Sequence, residues 1–269
     1  MPRRTPPAEL FDVSGARTVV TGAASGLGLA IAEVMADCGA RVTLADVDEE
    51  HLAEAAGELE RRGGDVRASP LDVTDPDQVE RLFDEVVATQ GGVDVVFANA
   101  GISLEPGVLD PSGGLATFDR ETWERVLAVN LNGVMFTLRS AAKPMKRQRS
   151  GRIVVTASTA AFGTDPMVGY SYSATKAAVG VVVRQAALEL ARHGVHVNAI
   201  APGPFRTNIG AAAPPIAAEA WEQIVALGRM AEPDELKGVA LLLASPACSF
   251  MTGAIVPVDG GQLLMSHGV

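Results

Sequence analysis

The sequence predicts an α/β domain: a parallel sheet of seven strands with helices packed on both faces, in three layers. Three observations predict it. Short β-branched runs alternate with amphipathic stretches along nearly the whole chain. The first such run leads straight into a glycine-rich turn and a helix start, "VVTGAASGLGLA". Finally, a length of 269 residues, 48% of them apolar and with no long polar tract, suits one sizeable core.

The opening "MPRRTPPAELFDVSG" is basic and proline-rich and lacks the apolar stretch of a secretory signal. Residues 1–14 are therefore expected as a flexible tail and 15–269 as a single domain. "RTVVTG" is the first strand, and 25–39 the first helix, with Leu27, Ile31, Val34, Met35 and Cys38 at helical spacing and Gly39 after them. The strand "RVTLAD", a helix over 48–62, a strand at 66–71 and a helix over 76–90 follow. That last helix is signposted by Asp75 as N-cap, Pro76 at the first position and Gln78 as capping-box partner. Then come the strand "VDVVFANAG", a long helix over 119–142, the strand "RIVVTAS", a helix over 172–192, the strand "VHVNAIAPG", a helix near 233–244 and the strand "AIVPVD". Two segments break the rhythm, 102–118 and 204–228. Both follow strands, so both overhang the carboxyl edge of the sheet, where open α/β folds bind ligands; the second is expected to be a lid.

The formal charge of -10 argues against nucleic acid or an anionic membrane as partner, and no run is long and apolar enough to span a bilayer. Cys38 and Cys248 are far apart and show no CxxC spacing, as expected of free thiols in the cytoplasm. The four histidines form no metal-ligand pattern, so no metal site is expected. The ligand is expected to be a small molecule.

Gly22, Gly26 and Gly28 sit between a strand and a helix, where backbone without Cβ atoms can approach a pyrophosphate at a helix N-terminus. No GK[ST] follows, which removes phosphoryl transfer. The second strand ends in Asp46, about 20 residues on. A carboxylate there accepts from the adenosine ribose hydroxyls and repels a 2'-phosphate, and Ser25 stands in the turn where a cation would favour that phosphate. NAD is therefore expected rather than NADP.

In "GYSYSATKAAV" only Tyr172 has Lys176 one helical turn away; the i+4 partner of Tyr170 is Ala174. A phenol titrates near ~10, and a neighbouring ammonium favours its ionised form, so Tyr172 is the candidate acid/base and Lys176 its activator. Ser158 ends the strand "RIVVTAS" at the same edge of the sheet, and Asn130 places an amide on the apolar stripe of Trp123, Val126, Leu127 and Val134.

In this order and spacing, "TGAASGLG" (21–28), "LDV" (71–73), "NAG" (99–101), "VNLNG" (129–133), Ser158, "YSATK" (172–176), "PGPFRT" (202–207) and "VDGG" (258–261) resemble the short-chain dehydrogenase/reductase family over almost the whole chain. The resemblance implies a Rossmann-like doubly wound fold and an NAD(P)-dependent oxidoreductase, commonly a tetramer, here a homotetramer or homodimer. It implies that Tyr172 is the acid/base and that Lys176 lowers its pKa and binds the nicotinamide ribose. Ser158 would position the substrate oxygen, and Asn130 would hold a water that leads protons from Lys176 to solvent. The glycine turn with Ser25 and Leu27 would hold the pyrophosphate, and Asp72 and Val73 the adenine. Asn99, Ala100 and Gly101 would line the dinucleotide's path, and Pro202, Gly203, Phe205 and Thr207 would receive the carboxamide.

Ser158 and Tyr172 are 14 positions apart, one more than in many relatives, which implies an enlarged loop "TAAFGTDPMVG" and leaves Thr159 as an alternative to Ser158. Around that loop and the lid, Ala160, Phe162, Met167, Pro204 and Ile209 suggest a largely hydrophobic substrate pocket. The expected reaction is hydride transfer between a secondary alcohol, alicyclic or aromatic among the options, and its ketone. The alternatives are a reductase of 3-oxoacyl thioesters on a carrier protein, a non-catalytic NAD-binding sensor or scaffold, and a sugar-nucleotide epimerase, which the glycine spacing disfavours.

Overall fold

A computed structural model describes residues 6–209 and 218–265. Of the expected tail, residues 1–5 lie outside the described residues, whereas Pro7–Leu10 (α1) forms one helical turn and Val13 is buried. The elements that follow are β1 (Arg17–Thr21), α2 (Gly26–Asp37), β2 (Arg41–Asp46), α3 (Glu49–Arg61), β3 (Asp65–Pro70), α4 (Pro76–Gln90) and β4 (Val95–Ala98). After β4 come α5 (Arg120–Leu127), α6 (Val134–Gln148), β5 (Gly151–Thr156), α7 (Tyr170–Leu190) and β6 (Val195–Pro202). The chain ends in α8 (Ala218–Gln223), α9 (Lys237–Ala244), β7 (Ile255–Val258) and α10 (Gln262–Met265).

All seven strands are parallel, in the order β3-β2-β1-β4-β5-β6-β7. The order reverses between β1 and β4, so the connections on either side leave a crevice at the carboxyl ends of these two strands. Successive side chains of the central strands point to opposite faces, and both faces are apolar, as parallel strands covered by helices require. Val19, Val96, Ala98, Ile153 and Val155 pack toward the face carrying Leu138 of α6 and Val179 of α7. Val20, Val95, Phe97 and Val154 pack toward the face carrying Ile31 and Met35 of α2 and Leu243 of α9.

The long helix expected over 119–142 differs in two respects. It is interrupted by a π-helical turn over Ala128–Gly133, and it runs on through Pro144 to Gln148, ending where Arg149 turns left-handed (φ 56°). Helical periodicity cannot reveal one inserted residue per turn, because the apolar stripe is merely displaced. At the head of α4, Asp75 accepts from the N–H groups of Asp77 and Gln78, but the Gln78 side chain does not close a reciprocal box. It donates to Asp75 and accepts from the N–H of Asp72, tying that residue to the helix.

At the opposite edge of the sheet Asp94 joins three strands. Its carboxylate receives Nε, Nη2 and the N–H of Arg17 at 2.7, 2.6 and 3.0 Å, and its carbonyl accepts from Arg152 at 2.9 Å. Burial pushes this carboxyl up, but the Arg17 hydrogen bonds and charge outweigh it and hold it below the ordinary value of 3.8. A depressed folded pKa contributes stability above the unfolded pKa and loses it as pH falls through the folded one. Asp94→Asn is therefore expected to lower stability by about 1–2 kcal/mol at pH 7, the pair being partly solvent-screened. In urea denaturation that difference should vanish as pH falls below 3.8 toward the folded pKa.

Candidate functional site

The crevice at the carboxyl ends of β1 and β4 is closed by the glycine turn. Gly22 has φ +68°, and a Cβ there would come within 2.8 Å of the Cα of Ala100. A Cβ on Gly28 would lie 1.8 Å from the Gly22 carbonyl and 2.5 Å from Asn99 Nδ2. Only bare backbone fits, so the first turn of α2 is pressed against the loop after β4. Ser25 at the N-cap makes no side-chain bond to the helix, which leaves the N-terminus uncapped, as anion-receiving helix starts are.

Asn99 fastens this turn. Its Nδ2 donates to the carbonyls of Thr21 and Gly22 (3.1 and 3.2 Å), and its Oδ1 accepts from Thr156 Oγ1 (2.9 Å) on β5. At the end of β2, Asp46 Oδ2 accepts from the N–H of Ala24 at 3.0 Å, which holds the carboxylate beside the turn, 20 residues from Gly26. Asp72 Oδ1 accepts from the N–H and hydroxyl of Thr74, and Val73 packs so closely on Gly133 that a Cβ there would be 2.8 Å away.

Three strands and two helices bring the reactive candidates together. Ser158, 7% exposed, follows β5 and accepts from the N–H of Ala160 at 3.2 Å. Tyr172 lies in the first turn of α7, and Lys176 one turn on, with its Nζ 5.6 Å from the phenol ring centroid. Lys176 is 2% exposed and donates to the carbonyl of Thr156 at 2.8 Å. A Cβ on Gly101 would be 3.5 Å from Nζ and 3.4 Å from Asn130 Oδ1, so Ala100 and Gly101 form the floor between the two.

Asn130 lies in the π turn, wholly buried. Its Oδ1 accepts from the N–H of Ile102 (2.8 Å), and its Nδ2 donates to the carbonyl of the same residue (2.9 Å) and to Thr175 Oγ1 (3.4 Å). Both ends of the amide are thus committed to the backbone of the 102–118 segment and to α7.

Burial lowers the Lys176 amine to about 8. Tyr172 does not follow the sequence expectation of a lowered phenol. Burial pushes it above 10.0, the hydrogen-bonded Ser158 side chain opposes this, and the charge of Asp165 adds to it. The Lys176 amine lies 5.6 Å from the ring centroid, and burial is the largest of the effects on the phenol.

Beyond β6, Pro202 ends the strand, and Gly203 lies against Asp259, where a Cβ would be 2.8 Å from its Cα. Phe205, 8% exposed, pairs with Ala231, whose N–H donates to Pro204 and whose carbonyl accepts from Arg206. These bonds clamp the two ends of the expected lid; its middle, 210–217, lies outside the described residues. Thr207 rests on Gly26, 3.4 Å from a Cβ built there, and the two help line a cleft of about 520 Å³ beside the glycine turn.

The substrate candidates do not gather on one apolar wall. Ala160, Met167 and Pro204 are buried, whereas Phe162 and Ile209 are 42% and 50% exposed. Three polar residues near them gave little signal in the sequence. Glu105 Oε2 accepts from the N–H and hydroxyl of Ser171 at 3.0 and 2.6 Å, holding the first turn of α7. Asp165 and Gln262 meet at 3.1 Å across 97 residues. An acid after an NAG triplet, or an Asp-Pro step in a loop, is too common to signal such contacts.

A family model described as enoyl-(acyl carrier protein) reductase matches residues 22–262. Cis-4-hydroxycyclohexanecarboxylate dehydrogenase of Sinomonas cyclohexanicum is 39% identical over 246 residues, covering 90% of this chain and 94% of its own. A short-chain type dehydrogenase/reductase from Mycobacterium marinum has a crystal structure that superposes with a TM-score of 0.87 at 37% identity, over 95% of this chain and 98% of that one. A gluconate 5-dehydrogenase from Burkholderia cenocepacia, crystallised with NADP and tartrate, superposes with a TM-score of 0.86 at 32% identity, over 97% and 99%.

Lys176 gives a prediction independent of any ligand. Its folded pKa of about 8 lies below the unfolded 10.5, so the fold bears a cost at neutral pH that disappears as pH rises from about 8 to 10.5. Lys176→Met is expected to stabilise the chain at pH 7 by about 1–3 kcal/mol, net of the lost Thr156 bond. Urea denaturation should show that gain shrinking over the same pH interval.

Proposed function

The chain belongs to the short-chain dehydrogenase/reductase family, and from that premise we propose that it is an NAD-dependent dehydrogenase oxidising a secondary alcohol to its ketone. The observation that carries the reading is the meeting of Ser158, Tyr172 and Lys176 at the sheet edge that also bears the glycine turn and Asp46.

The residues present fit a dinucleotide. Gly22 and Gly28 have no room for side chains and Gly26 is left-handed (φ +55°), and the turn offers backbone and an uncapped helix end to the pyrophosphate. Asp46 would accept from the adenosine ribose, Asp72 and Val73 would flank the adenine, and Asn99 to Gly101 would line the middle of the path. Tyr172 and Lys176 would hold the second ribose, and Pro202, Gly203, Phe205 and Thr207 the carboxamide. When bound, this cofactor accepts the hydride that leaves the alcohol carbon.

The chain's own part is proton transfer. Ser158 donates to or accepts from the substrate oxygen and sets its distance from Tyr172; in reduction the neutral Tyr172 phenol gives its proton to that oxygen, and in oxidation it passes its proton toward Lys176 as it takes the hydroxyl proton. The Lys176 amine, at about 8, can bind and release a proton near neutral pH, so it is suited to pass the proton on from Tyr172. Asn130 keeps Ile102, and through it the loop beside Gly101, against α7.

NAD is favoured over NADP because a 2'-phosphate would be placed against the Asp46 carboxylate. The Burkholderia enzyme's NADP is a property of that protein. Assembly as a tetramer or dimer is favoured by Val181 and Leu188 on the outer side of α7 and by Phe250 and Leu264 near the last strand, all largely exposed. Two free thiols agree with work in the cytoplasm. A second reading, reduction of a 3-oxoacyl thioester on a carrier protein, is favoured by similarity to a 3-oxoacyl-(acyl-carrier-protein) reductase of Thermotoga maritima, 34% identical over 94% of this chain and 99% of its own. A chain of net charge -10 repels an acidic carrier.

NADH formation with a panel of secondary alcohols tests this reading. NAD is expected to exceed NADP in kcat/KM, Asp46→Asn to narrow that ratio, and Tyr172→Phe to lower turnover by about 10²–10⁴-fold. Undiminished turnover in Tyr172→Phe, or rates confined to acyl thioesters, would replace it.

A further inference from the structure

Asp165 lies in the loop that joins Ser158 to the catalytic helix. Its Oδ1 accepts from the N–H of Met167 at 2.9 Å, and its Oδ2 from Gln262 Nε2 at 3.1 Å. Gln262 opens α10, is 6% exposed, and has an Oε1 with no hydrogen-bond partner. That oxygen faces Gly203, whose Cβ would come within 3.1 Å of it. Three segments therefore converge here: the loop before Tyr172, the start of the loop after β6, and the C-terminal turn.

The partners of the Asp165 carboxylate are a backbone N–H and a primary amide, with no cation between them. Asp165 is half-buried, and a carboxylate partly withdrawn from water recruits a countercharge or further donors. Each Asp165 oxygen has spent one acceptor position and retains another, and the free Gln262 oxygen is also an acceptor. Tyr172 responds to the Asp165 charge, while burial raises Asp165 itself. What the place lacks is a donor.

We propose that Asp165, oriented by Gln262, is a specificity-determining residue that accepts a hydrogen bond from a second hydroxyl of the substrate. The preferred alcohol is then a diol, with one carbinol at Ser158 and Tyr172 and the other turned toward the loop. An alcohol without that group would leave the half-buried carboxylate one donor short, and sites built to hold a hydroxyl disfavour analogues that lack one. This inference rests on the alcohol dehydrogenase reading and replaces the apolar pocket expected from Ala160, Phe162, Met167, Pro204 and Ile209 with one that has a polar anchor.

The test compares kcat/KM for cyclohexanol with that for the cis and trans cyclohexane-1,2-, 1,3- and 1,4-diols, in the wild-type chain, Asp165→Asn and Asp165→Ala. At least one diol is expected to exceed cyclohexanol by about 10-fold or more, chiefly through KM. That ratio should collapse in Asp165→Ala and fall partway in Asp165→Asn, which keeps the shape and one acceptor. The diol advantage should fall through KM, with the change in kcat the same for cyclohexanol and the diols; a purely structural role would instead lower kcat/KM for both alcohol classes alike. Equal losses on cyclohexanol and the diols, or no diol advantage in the wild type, would overturn the inference. If Tyr172→Phe-sensitive oxidation of cyclohexanol persists in that case, the dehydrogenase reading stands alone. If no alcohol of either kind is oxidised, both fall.

Discussion

One line of hydrogen bonds ties the glycine turn to the Tyr172–Lys176 end of α7. The Gly22 carbonyl accepts from Asn99 Nδ2, Asn99 Oδ1 accepts from Thr156 Oγ1, and the Thr156 carbonyl accepts from Lys176 Nζ. The line crosses β1, β4 and β5 at their carboxyl ends, where the strand order reverses. Thr156 and Lys176 are buried and Gly22 and Asn99 half-buried, hence breaking the bond between Lys176 and Thr156 leaves a desolvated polar atom. The position of the amine relative to the glycine turn is thereby set by the sheet itself rather than by a loop.

Helix α7, which carries Tyr172 and Lys176, is held from the other side by the segment after β4. Asn130 grips Ile102 from the π turn, Glu105 caps the Ser171 end of α7, and Pro106 pairs with Val168. A segment that breaks the strand-helix rhythm thus serves as the brace for Tyr172. The π turn permits this, because the additional residue per turn swings Asn130 toward Ile102 while Val126 and Val134 remain buried.

The electrostatics of the site are those of groups withdrawn from water. Burial lowers Lys176 and raises Tyr172 and Asp165, so each is displaced toward its neutral form. For Lys176 the displacement costs stability at neutral pH and brings proton exchange close to it, whereas Tyr172 is held as the neutral phenol. The Arg17–Asp94 pair at the far edge of the sheet shows the opposite case, in which a countercharge overrides burial and the contribution is to the fold.

The amino-acid sequence by itself determined the strand-helix alternation, the placement of the glycine turn before α2, the partnership of Tyr172 with Lys176, and the position of Ser158 and Asp46 at strand ends. Each of these depends on neighbours within one or two elements, where periodicity and turn chemistry are local. Tertiary structure alone decided the rest: the insertion at Asn130, the brace from Glu105, the direction in which Tyr172 is displaced, and the meeting of Asp165 with Gln262. Those outcomes depend on burial and on contacts between residues as much as 97 positions apart, and neither quantity is carried by spacing along the chain.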